Sequence, residues 1–135
     1  EQSDAEIFLH TDADCILPST WLSSMLAPFA DAQVGFVSGP VTYQKEENFL
    51  HRFLLLDFAG LNVAGAAHIQ WKRSLMCNGA NLAYRSKLNK ELSHHYASGD
   101  DVFLMQNIEK TGAKLVFQKD KAAMFVCLIF MRNNK

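Results

Sequence analysis

A layered α/β sheet with flanking helices is expected of this sequence on two grounds. Short apolar runs of strand length alternate with stretches of helical periodicity, and several runs stop at acidic or glycine-containing turns. The first run, Ile7-Phe8-Leu9-His10, stops at Thr11-Asp12-Ala13-Asp14 and reads as a buried strand that delivers carboxylates at its carboxyl end. Ligand sites in α/β sheets lie at such ends. Pro18 suits a first helical turn, and Leu22, Met25, Leu26 and Phe29 recur at helical spacing, which predicts a helix from Pro18 to about Ala30. Val34-Gly35-Phe36-Val37 is the next strand, closed by Ser38-Gly39-Pro40.

From Glu46 the pattern is helical again. Phe49, Leu50, Phe53, Leu54 and Phe58 share one stripe, and Leu55, Leu56 and Leu61 widen it almost all round. Such a helix needs partners on several sides, as core or domain interface, with a membrane-facing role as the lesser alternative. Ser74-Leu75-Met76-Cys77 reads as a strand leading into the tight turn Asn78-Gly79-Ala80-Asn81, followed by Leu82-Ala83-Tyr84-Arg85 as a short strand or helix entry. Ser98-Gly99-Asp100-Asp101 precedes a helix with Val102, Met105 and Ile108 inward, stopped by Gly112. Lys114-Leu115-Val116-Phe117 is a strand, and Ala122 to Met131 is apolar enough for another. No internal repeat or linker divides the chain, so residues 1–135 are expected to form one domain. The chain enters a central-looking strand with no glycine-rich strand-turn-helix before it, which predicts a piece of a larger sheet whose edge must be paired, covered or dimerised.

Composition narrows the function. The chain has 135 residues, of which 49% are hydrophobic and 20% charged, enough to bury a core. A formal charge of -1 and scattered basic residues give no footprint for a phosphate backbone, so nucleic acid is not an expected partner. Cys15, Cys77 and Cys127 are odd in number and far apart, with no CxxC pair. Neither a disulfide framework nor a zinc site is expected, and a reducing compartment fits best. The polar, acidic start from Glu1 to Glu6 is unlike an export signal, and no run reaches the roughly 18 apolar residues expected of a membrane span.

Two acidic clusters carry the candidate chemistry. Asp12 and Asp14, one residue apart, can offer charged oxygens to a hard divalent cation, with water and a ligand's phosphates completing the shell. The plain alternative is a turn in which these side chains cap backbone N–H groups. Asp100 and Asp101 form the second cluster, where Ser98-x-x-Asp101 also matches a helix capping box. Both roles are compatible, because a carboxylate fixed at a helix start is well oriented, although the helix dipole favours its ionised form and weakens it as a base. His94-His95 is read as solvated polar connection rather than a ligand pair, and His10, His51 and His68 carry a weaker signal still.

Thr11-Asp12-Ala13-Asp14 followed by Pro18 and Trp21-Leu22, then Cys77-Asn78-Gly79-Ala80-Asn81-Leu82-Ala83-Tyr84-Arg85, then an acidic pair before Leu104, resembles the family 2 glycosyltransferases of the GT-A fold in order and spacing. The resemblance runs from Ile7 to Phe117 and implies a partial GT-A domain, the carboxy-terminal portion of a catalytic domain whose nucleotide-binding half does not precede Glu1. It implies transfer of a sugar from a nucleotide-diphosphate sugar to a hydroxyl of a carbohydrate or lipid-linked acceptor, with inversion and with Mn2+ or Mg2+. Asp14 would bind the metal, Asp12 the ribose or the metal shell, and Asp101 would be the catalytic base. Asn78, Gly79, Ala80, Asn81 and Asp100 would contact substrate. The family usually has Glu at the position of Asp100, which bears on acceptor contacts rather than on the base. The parent protein is expected in the cytoplasm or on the cytoplasmic face of a membrane, with membrane association and a homodimer as options. The isolated chain is expected to bind nucleotide weakly. Gln70-Trp71-Lys72-Arg73 has residue types of a processivity segment in the wrong order and place, and reads as loop.

Two other functions fit parts of the pattern. A haloacid-dehalogenase-like phosphatase also begins from Asp-x-Asp after a strand, but Cys15 stands where its phosphate-binding Thr would follow, and Tyr96-Ala97-Ser98-Gly99 lacks the apolar strand that would carry the second pair. A truncated domain that folds without turnover is the non-enzyme alternative. The transferase reading requires the carboxylates of Asp14 and Asp101 to open onto one cleft.

Overall fold

The structure, a computed structural model, describes residues 4–43, 49–88 and 100–127. Seven strands and three α-helices alternate along it: β1 (Ile7–His10), β2 (Cys15–Ile16), α1 (Trp21–Leu26), β3 (Val34–Ser38), β4 (Val41–Tyr43), α2 (Phe49–Gln70), β5 (Leu82–Arg85), α3 (Asp100–Lys110), β6 (Lys114–Phe117) and β7 (Phe125–Cys127). The larger sheet has the order β1-β5-β3-β6, antiparallel except for the β3–β6 pair, and a smaller sheet has the order β2-β7-β4. This is the mixed α/β layering that the alternation of strands and helices predicts.

The large sheet is covered on both faces. Side chains alternate along a strand, so Val37 and Ala83 enter one core with Trp21, Met25, Phe29 and Phe125. Phe36, Leu82 and Tyr84 enter another with Ile69, Met105 and Ile108. A register shift between Val34 and Phe36 turns Val34 to the same side as Val37. Gly35 permits this sheet to lie close to α3, since a Cβ there would stand 3.0 Å from Ile108 Cγ2 and 2.6 Å from Ala113 Cβ. Gly112, at φ 82°, ends α3 as its position predicts.

Asn81 is the central polar fastening. Its side chain is fully buried; Oδ1 accepts from Trp21 Nε1 at 3.0 Å, and Nδ2 donates to Pro40 O at 2.8 Å and to Ala123 O at 3.0 Å. The Gly39 N–H donates to Asn81 O at 2.8 Å, and a Cβ on Gly39 would meet the Asn81 amide at 2.5 Å.

Several expectations change. The predicted Pro18–Ala30 helix is shorter, α1 followed by a 3-10 segment at Ala27–Ala30. Ser74–Cys77 is not a strand: Ser74 Oγ donates to Glu109 and its carbonyl accepts from Gln106 Nε2 at 2.9 Å, so this segment is tied to α3 instead of to a sheet. β1 is an edge strand among the described residues, not a central one. The stripe of α2 divides: Phe58 packs against the core and the Tyr43 ring of β4, 4.4 Å between centroids, while Phe49 is 85% exposed, as is 72% of Leu56 beside the stripe. Arg52, Asp57 and Asn62 interrupt its apolar run, yet the helix has 22 residues and a window of mean hydropathy 1.2, long and apolar enough to cross a membrane by those two measures.

The cysteine expectation is also corrected. Cys15 and Cys127, 112 residues apart, are joined by a disulfide across the β2–β7 pair, while Cys77 is free. Spacing alone gave no hint of it, because the pair is made by sheet register. Titration of thiols in denaturant is expected to find one per chain before reduction and three after it. Asn81→Ala is expected to lower stability by about 3 kcal/mol, since it strands the Trp21 indole N–H and two carbonyls in the core. Denaturant melts read it as a lower midpoint with an unchanged slope.

Candidate functional site

The carboxyl end of β1 opens into a cleft of about 600 Å³ lined by Leu9, His10, Thr11, Asp12, Asn78, Gly79, Ala80 and Asp101. Three parts of the chain build it. The Thr11–Asp14 turn follows β1 and is closed by the Cys15 N–H donating to Asp12 O at 3.3 Å. The Asn78–Asn81 turn is held by Asn78 Oδ1, which accepts from Ala80 N at 3.0 Å, and by Asn78 O, which accepts from Asn81 N at 3.2 Å. The first turn of α3 supplies Asp101, and α3 is in turn held by Glu109 and Gln106 to Ser74, a few residues before the Asn78 turn.

Gly79 and Asp101 are in close approach. A Cβ built on Gly79 would overlap the Asp101 carboxylate, so only glycine lets this carboxylate close on the turn. The neighbouring Cys77 thiol responds to both features of the site: burial, and secondly the charge of Asp101, push its pKa up to about 12.

Asp12, Asn78, Gly79, Ala80 and Asp101 therefore come together as the sequence predicts. Asp14 does not line the cleft with them. It is exposed, with Oδ1 3.7 Å from Cys15 Sγ, and its ligand atom lies within 4.8 Å of both disulfide sulfurs. A disulfide carries no thiolate, so with that bond intact Asp14 is the only charged ligand in the group. The carboxylates that share the cleft are those of Asp12 and Asp101, rather than Asp14 and Asp101, so the geometry the transferase reading requires is not met by Asp14, contrary to expectation, and is supplied by Asp12 in its place. Asn81 is corrected from substrate contact to fold: its amide is buried and engaged by Trp21, Pro40 and Ala123. Asp100 begins α3, but its side chain lies outside the described residues, as do Ser98 and the His94-His95 pair.

His10 and Thr11 line the cleft although the motif reading gave His10 little weight. The signal was present in their position at the strand's carboxyl end. His10 also packs against the Tyr84 ring, 5.4 Å between centroids. Asp12 and Asp101 bring carboxylate oxygens to the cleft, a donor type that a hard divalent cation takes.

A mixed α/β sheet that places Asp12, from the turn after β1, and Asp101, from the first turn of α3, around a glycine turn in an open polar cleft at a strand end has the arrangement of a ligand-binding domain. The chain matches the glycosyltransferase-like family 2 over residues 4–130 and belongs to that family. No curated protein matches it. The family's chemistry is sugar transfer from nucleotide-sugar donors to acceptors, generally with divalent metals, and this domain is of that enzymatic origin.

The raised pKa of Cys77 has a consequence for stability. Above pH 9 the thiol ionises in the unfolded chain while the folded chain keeps it protonated until about 12. The unfolded state then binds fewer protons, so stability falls as pH rises through that window. Denaturant midpoints measured from pH 8 upward are expected to fall more steeply for the parent chain than for Cys77→Ala.

Proposed function

We propose that this domain catalyses transfer of a sugar from a nucleotide-diphosphate sugar to an acceptor hydroxyl, with inversion at the anomeric carbon. The observation that carries the reading is the convergence of Asp12, Asp101 and the Asn78–Ala80 turn in one cleft. Asp101 is the general base. It accepts the proton of the acceptor hydroxyl as that oxygen bonds to the anomeric carbon, and the bond from that carbon to the diphosphate oxygen breaks on the opposite side.

Gly79 serves by absence, since any side chain would drive the Asp101 carboxylate away from the turn. In this reading Asp12 and Thr11, which line the cleft after β1, take the donor side. Asp12, with Asp14 by family resemblance, would hold Mn2+ or Mg2+, which when bound offsets the negative charge of the departing diphosphate. The role of Asp12 has the support of its position in the cleft; that of Asp14 has the support of the motif alone. The exposed apolar side of α2 supports association of the parent protein with a membrane surface.

Replacing Asp101 by Asn in the full-length parent protein keeps the shape and removes the proton acceptor. The expected result is a loss in kcat of about 10²- to 10⁴-fold with little change in KM for the sugar nucleotide. Steady-state turnover with the sugar nucleotide and an acceptor decides it, and a variant of undiminished kcat sinks the assignment.

A further inference from the structure

A second cavity, of about 280 Å³, shares the Asn78–Gly79 turn with the acidic cleft and runs along α2. Its chemistry is different. Phe58, Leu61, Gly65, Met76, Cys77 and Phe117 make most of its wall. Of the polar side chains that touch it, Asn62 is engaged through both amide atoms and Asn78 through its oxygen, and Ser38 adds one hydroxyl. Asn62 Oδ1 accepts from Val41 N at 3.1 Å, and its Nδ2 donates to Val41 O at 2.9 Å and to Phe58 O at 2.8 Å. Asn78 Oδ1 accepts from Ala80 N. The Cys77 thiol stays uncharged up to about pH 12.

A sugar ring in this cavity would surrender hydrogen bonds to water and find few replacements, which is costly for each hydroxyl. An apolar chain would lose nothing and gain the burial of its methylenes. The volume takes on the order of ten methylene-sized groups. Leu61 stands both in the wall and at the surface, 43% exposed, so the cavity has an edge at the surface of α2.

We propose that this cavity is the subsite for the apolar part of an amphiphilic acceptor, a lipid or lipid-linked alcohol whose hydroxyl end reaches the acidic cleft past Asn78 and Gly79. The proposal rests on the transferase reading for the word acceptor. The binding site itself stands on the lining and on the shared turn. Of the two acceptor chemistries open to the family reading, carbohydrate or lipid-linked, the cavity selects the second.

Gly65 gives a direct test. A Cβ there meets nothing nearer than Met76 O at 3.5 Å, so Ala is accommodated, whereas Leu would extend into the cavity and fill it. Calorimetry is run on the chain with glucose and with hexyl, octyl and decyl β-glucoside, each below its micelle concentration. Affinity is expected to rise about threefold to fourfold per added methylene until the cavity is full, with glucose not detectably bound. Gly65→Leu should abolish that gradient and Gly65→Ala should keep it, with thermal melts confirming that both fold. A Phe53→Ser, Leu56→Ser double variant, which alters only the outer side of α2, should also keep it. The proposal is overturned by equal affinity for glucose and octyl glucoside, by a gradient that survives Gly65→Leu, or by one that disappears with the outer-side variant. No donor enters the measurement. A chain-length gradient found together with undiminished turnover by Asp101→Asn would therefore fell the catalytic reading while supporting the apolar site.

Discussion

The buried amide of Asn81 is the constraint from which the rest of the site follows. One side chain joins α1 through Trp21, the Gly39-Pro40 corner after β3 through Pro40, and the segment before β7 through Ala123. These three places are distant in sequence and none is linked to another by a regular ladder at that point. A carboxamide suits the position because it offers an acceptor and two donors at once. Satisfied in full, such a buried group fixes one arrangement of its neighbours, since any other leaves polar atoms unpaired in the core. The turn that ends in Asn81 is thereby held in place, and with it Gly79, against which the Asp101 carboxylate lies.

That single turn divides two environments. On one side, Asp12, Thr11 and Asp101 make a polar, acidic cleft. On the other, α2 and Phe117 make an apolar chamber. The wall between them is made largely of main chain, because Gly79 has no side chain to thicken it. A reacting hydroxyl placed at that wall can have a wet, charged partner on one hand and a dry anchor on the other. On the proposed transferase reading, position and desolvation of an acceptor would both be served within a few residues.

Much of the fold was legible in the sequence because its signals are local. The runs at Ile7, Val34, Leu82 and Lys114 are each strand-length and bounded by turn residues, and Gly112 stops α3 in the left-handed conformation that glycine tolerates. Within the site, Asp12, Asn78, Gly79, Ala80 and Asp101 were legible as a joint pattern, and they do converge. What was not legible depends on meetings between distant segments. Asn81 reads as one more polar turn residue until Trp21, Pro40 and Ala123 are seen to surround it. Ser74–Cys77 has the composition of a strand but gives its hydrogen bonds to Glu109 and Gln106 on α3. Cys15 and Cys127 meet only through the register of β2 and β7. A helix apolar almost all round, such as α2, does not announce which side the rest of the chain will cover, because its periodicity is weak in every direction. Asp14 shows the limit of motif reading in another way: two carboxylates one residue apart need not face the same space when the backbone turns between them.

β1 lies at the margin of the large sheet and leads directly into Thr11 and Asp12. Its outer main-chain groups form a line on which a further extended segment can align. Any segment that docks there grips the stem on which the acidic wall of the cleft is mounted, and a tilt of β1 is passed to Asp12 through a single intervening residue after the strand ends at His10. On the proposed reading, an insertion, a partner peptide or a neighbouring domain that pairs at this margin, open among the described residues, would alter the cleft without touching it.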